Sequence, residues 1–359
     1  MIWVVVLFAT FALLNFIALL PAIDEWRARR DAQPLKVVRE YDGDVRYFAY
    51  RFAGFVDRNF GVMLLRCRRE NSVRDGTLPD GQIFHIVSAE GHPVMQDTER
   101  SERLVKRVML GCGQLVLEND LRFEREIYAD GPIHGGTGNV YCALLATGDI
   151  KLGEKSAVLR WSHTEGAFTG GDGSMLFGRV SAQRSIAVGP RSNFTRLNAP
   201  VIDFAGGATR PERDFAVLEL VPNELPNVFD TRGGRTLVKG DIAIPPRTRI
   251  EGGLVATGRV RIGRDAWVSG NVKGGKGVYV EAGAWIDGAV ISGKALHIEG
   301  SCWIKGPIIS ERHVTIGRNC RLGSPEKPTT VSAEAILVSC GVTVYGSVWA
   351  RTTGRVGDR

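Results

Sequence analysis

Five successive segments decide the fold: IAIPPRTRIEGGLVATGR (242–259), VRIGRDAWVSGNVKGGKG (260–277), VYVEAGAWIDGAVISGKA (278–295), LHIEGSCWIKGPIISERH (296–313) and VTIGRNCRL (314–322). Their starting points follow one another at a constant interval along the chain. The first position is aliphatic in every segment, being Ile242, Val260, Val278, Leu296 and Val314. Further on in each of the first four segments, glycine recurs at one position, as Gly252, Gly270, Gly288 and Gly306.

An 18-residue period with alternating apolar positions does not fit a helix, and it predicts one turn of a β-solenoid built from three short strands. Each coil pairs in parallel with the next at a spacing of ~4.8 Å. The apolar positions then point inward and stack like upon like, so that the stack is the unit that folds. An insertion within SPEKPTT shifts the register after Leu322, and the pattern resumes at Ile336.

The same pattern is present earlier in a weaker form. ALLATGDIKLGEKSAV (143–158) echoes GLVATGRVRIGRDAWV (253–268), and Ile150, Phe168 and Ile186 follow one another at the same period. This predicts a first solenoid block over 121–205, followed by a linker or decorated coil over 206–236. The two blocks stack into one solenoid or pack side by side, and the sequence leaves both arrangements open.

The predicted fold is mainly β: a triangular β-helix with 18-residue coils, preceded by a transmembrane helix and a small α-containing segment. The boundaries are 1–23 for the anchor, 24–120 for the juxtamembrane region, 121–205 for the first block, 206–236 for the linker, 237–352 for the second β-helix and 353–359 for a polar tail.

The uncharged run from Ile2 to Leu20 predicts the membrane anchor. A helix rises ~1.5 Å per residue, so this run just crosses a hydrocarbon core of ~30 Å. Its apolar side chains include Ile2, Trp3, Phe8, Phe11, Phe16 and Leu20. A cleaved signal peptide fits less well, because no Lys or Arg precedes the run. Arg27, Arg29 and Arg30 follow it, which predicts a single-pass protein of the bacterial inner membrane with its C-terminal bulk in the cytoplasm.

Two helices are predicted between the anchor and the first block. DVRYFAYRFAGFVDRNF (44–60) has apolar residues at helical spacing, and DTERSERLVKRVML (97–110) precedes a glycine that ends a helix. His85 and His92 lie between them, and we interpret both as structural histidines because no ligand partner falls at metal-binding spacing.

Composition excludes several classes of protein. The 359 residues carry a net charge of +7 and are 44% hydrophobic, unlike a disordered chain or a collagen. Six cysteines without a CxxC motif indicate reduced thiols; Cys302 and Cys320 share an inward column, within disulfide range if oxidised. The basic excess is spread along the chain, so no nucleic-acid partner is expected. No cofactor or metal site is expected either.

Three tryptophans form a column on the outside of the predicted solenoid. Trp267, Trp285 and Trp303 occupy an odd position of the repeat, with Arg249 before them and Arg321 after them. These five residues are called the indole ladder below. Such a surface suits the docking of a filament, a partner or the first block, or stacking on sugar rings. Exposed indoles rarely stay bare, so we expect the ladder to be covered, most simply by another part of this chain.

The last coil is the predicted surface for self-association. A solenoid ends in a layer of unpaired backbone groups that pairs with another chain unless it is capped. The residues of this end are Ile336, Val338, Val344, Val348 and Trp349. The alternative is that Trp349 and the tail fold over the end.

Segments such as VRIGRDAWVSGNV, LHIEGSCWIKGPI and VTIGRNCRLGSPEKPTTVSA resemble the bactofilins, the polymer-forming bacterial cytoskeletal proteins. The resemblance covers 242–352 and, more loosely, 121–205. It implies a right-handed β-helix that polymerises without nucleotide, often on a membrane, and positions cell-envelope or polysaccharide-synthesis enzymes. The extra solenoid block and the membrane helix depart from the family pattern.

Enzymes are the main alternative. Left-handed β-helix acyltransferases also have 18-residue coils, but Gly274, Ser292 and Ser310 occupy a position that their hexapeptide repeat fills with an aliphatic residue. A polysaccharide-binding or polysaccharide-cleaving β-helix is the second alternative, for which His163 with Glu165 is the best pair of side chains. His297 and His313 are single surface histidines. The sequence therefore predicts a self-associating, membrane-anchored scaffold that is not an enzyme.

Overall fold

The computed structural model describes residues 6–8, 10–11, 15–16, 44, 46–88, 97–206, 218–219, 225, 228–232 and 234–357. The chain divides into two compact units, Met1–Tyr47 and Phe48–Arg359. Apart from helical residues near the N-terminus, two helices are described, α1 (Tyr47–Glu70) and α2 (Asp97–Glu102).

The first unit contributes short helical stretches at 6–8, 10–11 and 15–16. Thr10 Oγ1 and Asn15 Nδ2 each donate a hydrogen bond to a carbonyl one turn earlier, at 2.8 Å, which satisfies both polar side chains of the apolar run. Within the described residues, no helix combines the length and apolar character needed to cross a bilayer. Of the predicted anchor and basic residues, Ile2, Trp3, Leu20, Arg27, Arg29 and Arg30 lie outside the described residues.

The second unit is mainly β. The strands up to the end of the first solenoid are β1 (Arg74–Thr77), β2 (Ile83–Val87), β3 (Leu104–Val105), β4 (Val108–Gly111), β5 (Leu115–Val116), β6 (Arg122–Ala129), β7 (Ile133–Gly135), β8 (Val140–Ala146), β9 (Ile150–Leu152), β10 (Ala157–Thr164), β11 (Ala167–Gly170), β12 (Met175–Ala182), β13 (Ser185–Val188) and β14 (Asn193–Phe204).

The strands of the second solenoid follow. They are β15 (Leu218–Glu219), β16 (Val228–Arg232), β17 (Arg235–Val238), β18 (Ile242–Ile244), β19 (Thr248–Ile250), β20 (Gly253–Ala256), β21 (Arg259–Ile262), β22 (Trp267–Val268), β23 (Val272–Gly274), β24 (Gly277–Val280), β25 (Trp285–Ile286), β26 (Val290–Ser292), β27 (Leu296–Ile298), β28 (Trp303–Ile304), β29 (Ile308–Ser310), β30 (His313–Ile316), β31 (Arg321–Leu322), β32 (Thr329–Val338) and β33 (Val342–Val356).

These strands form a β-solenoid of about 13 turns, which confirms the predicted β-solenoid. The register follows the sequence repeat, since Val260 pairs with Val278 and Val278 with Leu296 in parallel strands. Inward side chains such as Ile262, Val280 and Ile298 are fully buried. A single apolar core runs through both solenoids, because each coil covers the interior of its neighbour.

Parallel pairing begins upstream of residue 121. Strand β2 pairs with β4, and β4 pairs with β6, so that coils already form within the predicted juxtamembrane region. The predicted helix over 97–110 is wrong beyond Glu102, where Arg103 adopts a φ of 54° and the chain enters β3 and β4. Met109 and Leu110 are fully buried between neighbouring strands, and this burial overrides the local helical spacing.

The two solenoids join at their C-terminal coils. Strand β14 pairs antiparallel with β33 on all three sides of the coil: Phe194 with Gly354, Leu197 with Val348, and Ile202 with Val344. The chain therefore runs along the first solenoid to β14 and then passes to the opposite end of the second solenoid. From there it runs back, coil by coil, until β33 pairs with β14. The blocks stack end to end rather than side by side.

This junction corrects the prediction that the last coil is open for self-association. Ile336 and Val338 pair with β33, and Val344, Val348 and Trp349 pair with β14. The segment predicted as a polar tail is also part of the coil, because β33 continues to Val356. The backbone groups of this end are thus hydrogen-bonded within the chain, which removes the unpaired edge.

The remaining elements cover the far ends and one side. Strand β1 pairs antiparallel with β2 at the start of the first solenoid, and β16 pairs antiparallel with β17 near the start of the second. Because β16 and β15 are paired to coil strands, part of 206–236 is a decorated coil. Helix α1 confirms the predicted amphipathic helix and packs Val56 and Phe60 against Phe84 and Leu110 on the outside of the first solenoid.

Candidate docking face

The three indoles of the ladder lie on the strands β22, β25 and β28, and its two arginines lie on β19 and β31. Trp267 pairs with Trp285, and Trp285 with Trp303, with ring centroids 5.9 Å and 4.4 Å apart. The following residue of each strand points inward and is fully buried, whereas the indoles are half-buried on the outer surface. The outward direction predicted from the repeat is the one observed.

Cations lie over the rings, as the flanking arginines predicted. The Arg249 guanidinium lies 4.2 Å from the Trp267 ring centroid, and that of Arg321 lies 5.0 Å from the Trp303 ring. Lys305 Nζ is 5.0 Å from the Trp285 ring and 5.5 Å from the Trp303 ring. Cation–π contacts of this kind stabilise partly desolvated rings and hold the indoles in one orientation.

Asp287 is the polar centre of the ladder. Its carboxylate accepts hydrogen bonds from Trp267 Nε1 at 2.7 Å and Trp285 Nε1 at 2.9 Å, and it forms an ion pair with Lys305. Burial opposes ionisation of this carboxyl, but hydrogen bonds from Lys305 and the two indoles outweigh it and lower its pKa. The N–H groups of these two indoles are thus hydrogen-bonded, and an apolar partner can cover the rings without leaving a buried donor unpaired.

The first solenoid does not cover the ladder. Since the two solenoids meet end to end through β14 and β33, the first one lies beyond the last coil and not beside the indoles. Among the described residues, Arg249, Lys305 and Arg321 are the groups that lie over the rings. The described residues do not test the expected cover by another part of the chain, which stays a prediction.

The histidines do not converge on one site. His163 is buried, with Nδ1 2.7 Å from Ser181 Oγ. It lines a cavity of about 550 Å³ between α1 and the first solenoid together with the exposed Glu165. His85 is buried against Asp75, as expected for a structural histidine, and burial is the main reason that its pKa is lowered. His297 stacks on Tyr279 at 4.8 Å. Within the described residues, no three His, Cys, Asp or Glu side chains are grouped as metal ligands.

The cysteines, all of which the structure describes, form no disulfide bond. This includes Cys302 and Cys320 of the shared inward column. Their Sγ atoms instead donate to the carbonyls of Glu281 and Glu299 on the preceding coil, at 3.2 Å and 3.0 Å. Both are fully buried, which fits small apolar side chains in the core.

One column of side chains was missed from the sequence. Lys276, Lys294 and Arg312 occupy the same position of successive segments, in the bends before β24, β27 and β30. The signal was present in the sequence, because cations recur there at the period of the repeat.

The chain was also compared with known proteins. No protein-family model, curated protein or solved structure matches it.

Proposed function

We propose that this chain is a membrane-anchored scaffold without catalytic activity, whose solenoid holds other proteins at the cell envelope. The observation that carries the proposal is the end-to-end junction of two solenoids. About 13 coils at ~4.8 Å make a stiff rod on the order of 60 Å long, with a continuous core and a regular outer surface.

The indole ladder is the proposed docking surface for a protein. Interface hot spots are enriched in Trp and Arg, and the ladder presents three indoles and two arginines in a fixed arrangement. Because the indole N–H groups are already bonded, docking buries the rings without breaking a hydrogen bond.

Self-association belongs to this proposal, but by another route than the last coil. The C-terminal coils pair with each other, so copies would meet through their sides or through the opposite ends, where β1 and β16 lie. The bactofilin-like identity, right-handed coiling, inner-membrane anchor and cytoplasmic position rest on the sequence resemblance and on the charge pattern around residues 2–30.

Electron microscopy and sedimentation of the full chain in lipid nanodiscs, without nucleotide, test the scaffold. Rods of about 60 Å that gather into ordered assemblies are expected. The Trp285→Ala variant should weaken assembly or client binding, while Val62→Ala on the exposed side of α1 should not. Rods that stay solitary and bind no envelope protein would refute the proposal, and binding of an acyl donor would favour the acyltransferase. A C-terminal reporter fusion tests the topology.

A further inference from the structure

A groove of about 740 Å³ runs across successive coils of the second solenoid, on a different face from the indole ladder. Its floor is made of small and apolar residues, Gly277 and Ala295 beside Val260 and Val278. One wall is the cation column Lys276, Lys294 and Arg312, and the other wall is formed by Tyr279 and His297.

The cation wall carries unbalanced positive charge. Successive members lie one coil apart, at ~4.8 Å, and all three side chains are exposed. Within the described part of the chain, none of the three forms an ion pair, and no carboxylate lines the groove. Like charges stacked at this distance repel one another, so an anionic occupant is favoured.

The nearby carboxylates are engaged elsewhere. Glu281 pairs with Arg261 and accepts a hydrogen bond from the Arg264 backbone N–H at 2.9 Å. Glu299 accepts from the Tyr279 hydroxyl and from the Ala282 backbone N–H. These bonds engage both carboxylates with groups other than Lys276, Lys294 and Arg312, and Glu281 balances Arg261, which also lines the groove.

The wall formed by Tyr279 and His297, called the ring wall, decides which class of anion fits the groove. Tyr279 and His297 stack on each other with centroids 4.8 Å apart and planes inclined by 19°, so their facing surfaces are hidden. The Arg261 guanidinium, one coil earlier, lies 5.7 Å from the Tyr279 centroid over its other face. A single-stranded nucleic acid binds by stacking its bases on exposed ring faces, and a sugar polymer uses ring faces in the same way.

We infer that the groove binds an extended acidic peptide segment of a partner protein. Its carboxylates would lie against Lys276, Lys294 and Arg312, and its main chain would lie on the Gly277 and Ala295 floor. Inorganic polyphosphate lacks apolar groups for that floor. The inference goes beyond the proposed scaffold function, because the groove is a separate surface from the indole ladder and binds the peptide without it.

The test uses the full chain in phosphatidylcholine nanodiscs and a fluorescein-labelled dodecapeptide of alternating Glu and Ala. Fluorescence anisotropy should show binding that weakens as salt is raised, while the matching Gln peptide does not bind. The double variant Lys276→Glu with Lys294→Glu should weaken binding by about tenfold or more. Should it misfold by circular dichroism, Lys276→Gln with Lys294→Gln replaces it, and Arg264→Gln with Arg318→Gln is then the control of equal charge change.

The matched control is Arg264→Glu with Arg318→Glu, which changes the net charge equally at exposed positions on another corner. It should leave the affinity within about twofold. Equal loss in both double variants would mean that net charge alone attracts the peptide, and this overturns the inference. Tighter binding of oligo(dT) or heparin through the same two lysines would also overturn it.

Discussion

The ring of Phe194 occupies the space where a side chain on Gly354 would lie. These residues pair across the junction of the two solenoids, and a Cβ built on Gly354 would overlap the Cε2, Cζ and Cδ2 atoms of Phe194. Phe194 is fully buried and packs against Phe204 at 5.4 Å. Because Gly354 has no side chain, the last coil of the second solenoid leaves space for the Phe194 ring of the first.

Gly354→Ala should destabilise the junction by about 1–3 kcal/mol, because the added methyl group overpacks a filled core. Phe194→Leu removes the overlapping ring atoms, so the double variant should lose less stability than the sum of the two single variants. Urea unfolding of the four proteins measures this coupling. Additive losses would show that the two residues do not meet as described.

The close approach of neighbouring coils predicts opposite effects for two glycines. A Cβ on Gly288 would overlap the backbone of Gly270 on the preceding coil, so Gly288→Ala should destabilise the protein by about 1–3 kcal/mol. In helix α1, a Cβ on Gly54 meets nothing nearer than Arg58 Nη1 at 3.9 Å. Gly54→Ala should therefore stabilise it by about 0.5–1 kcal/mol. Thermal unfolding measures both variants, and a Gly288→Ala protein that is as stable as the unmodified one would contradict the coil spacing.

Helix α1 should contribute to the stability of the first solenoid. Phe60 is fully buried, 5.0 Å from the Phe84 ring, and Phe60→Ala should cost about 3–5 kcal/mol. Val62 on the same helix is 83% exposed, so Val62→Ala should change stability by less than about 0.5 kcal/mol. Urea unfolding measures both. Equal effects would mean that the helix is not packed as described.

The ladder should make stability depend on pH through Asp287. Its pKa is lower in the folded protein than the unfolded value of about 3.9, so its ionised form stabilises the fold above that value. This contribution is lost as pH falls through the lowered pKa. Asp287→Asn should reduce the Tm at pH 7, and the gap from the unmodified protein should narrow below about pH 4. A gap that stays constant across this range would exclude the carboxylate as its source.

The repeat made the second solenoid and its ladder predictable. The side chains of one coil stack on those one period away in the sequence. Residues at the same position of successive repeats are therefore neighbours in the structure, as for Trp267, Trp285 and Trp303. The helix predicted to continue through Leu110 failed because local spacing competes with burial between β2 and β6, and burial prevailed.

The junction could not be predicted in this way. Asn198 pairs with Ser347, which lies far along the chain, and the pairing runs antiparallel, outside any repeat. The same is true of the contact between α1 and the first solenoid, where Arg68 donates to the carbonyl of Cys112 at 2.9 Å. Contacts of this kind depend on which surfaces remain uncovered after the coils have formed.

By itself, the sequence determined the length of the coil, its inward residues and its outward indoles. Side chains alternate between the two faces of each strand, and the constant repeat interval stacks each position on the same position of the next coil. Only the tertiary structure decided that the two solenoids close each other's C-terminal ends. That outcome follows from the need to pair the backbone of both last coils, which β14 and β33 satisfy together.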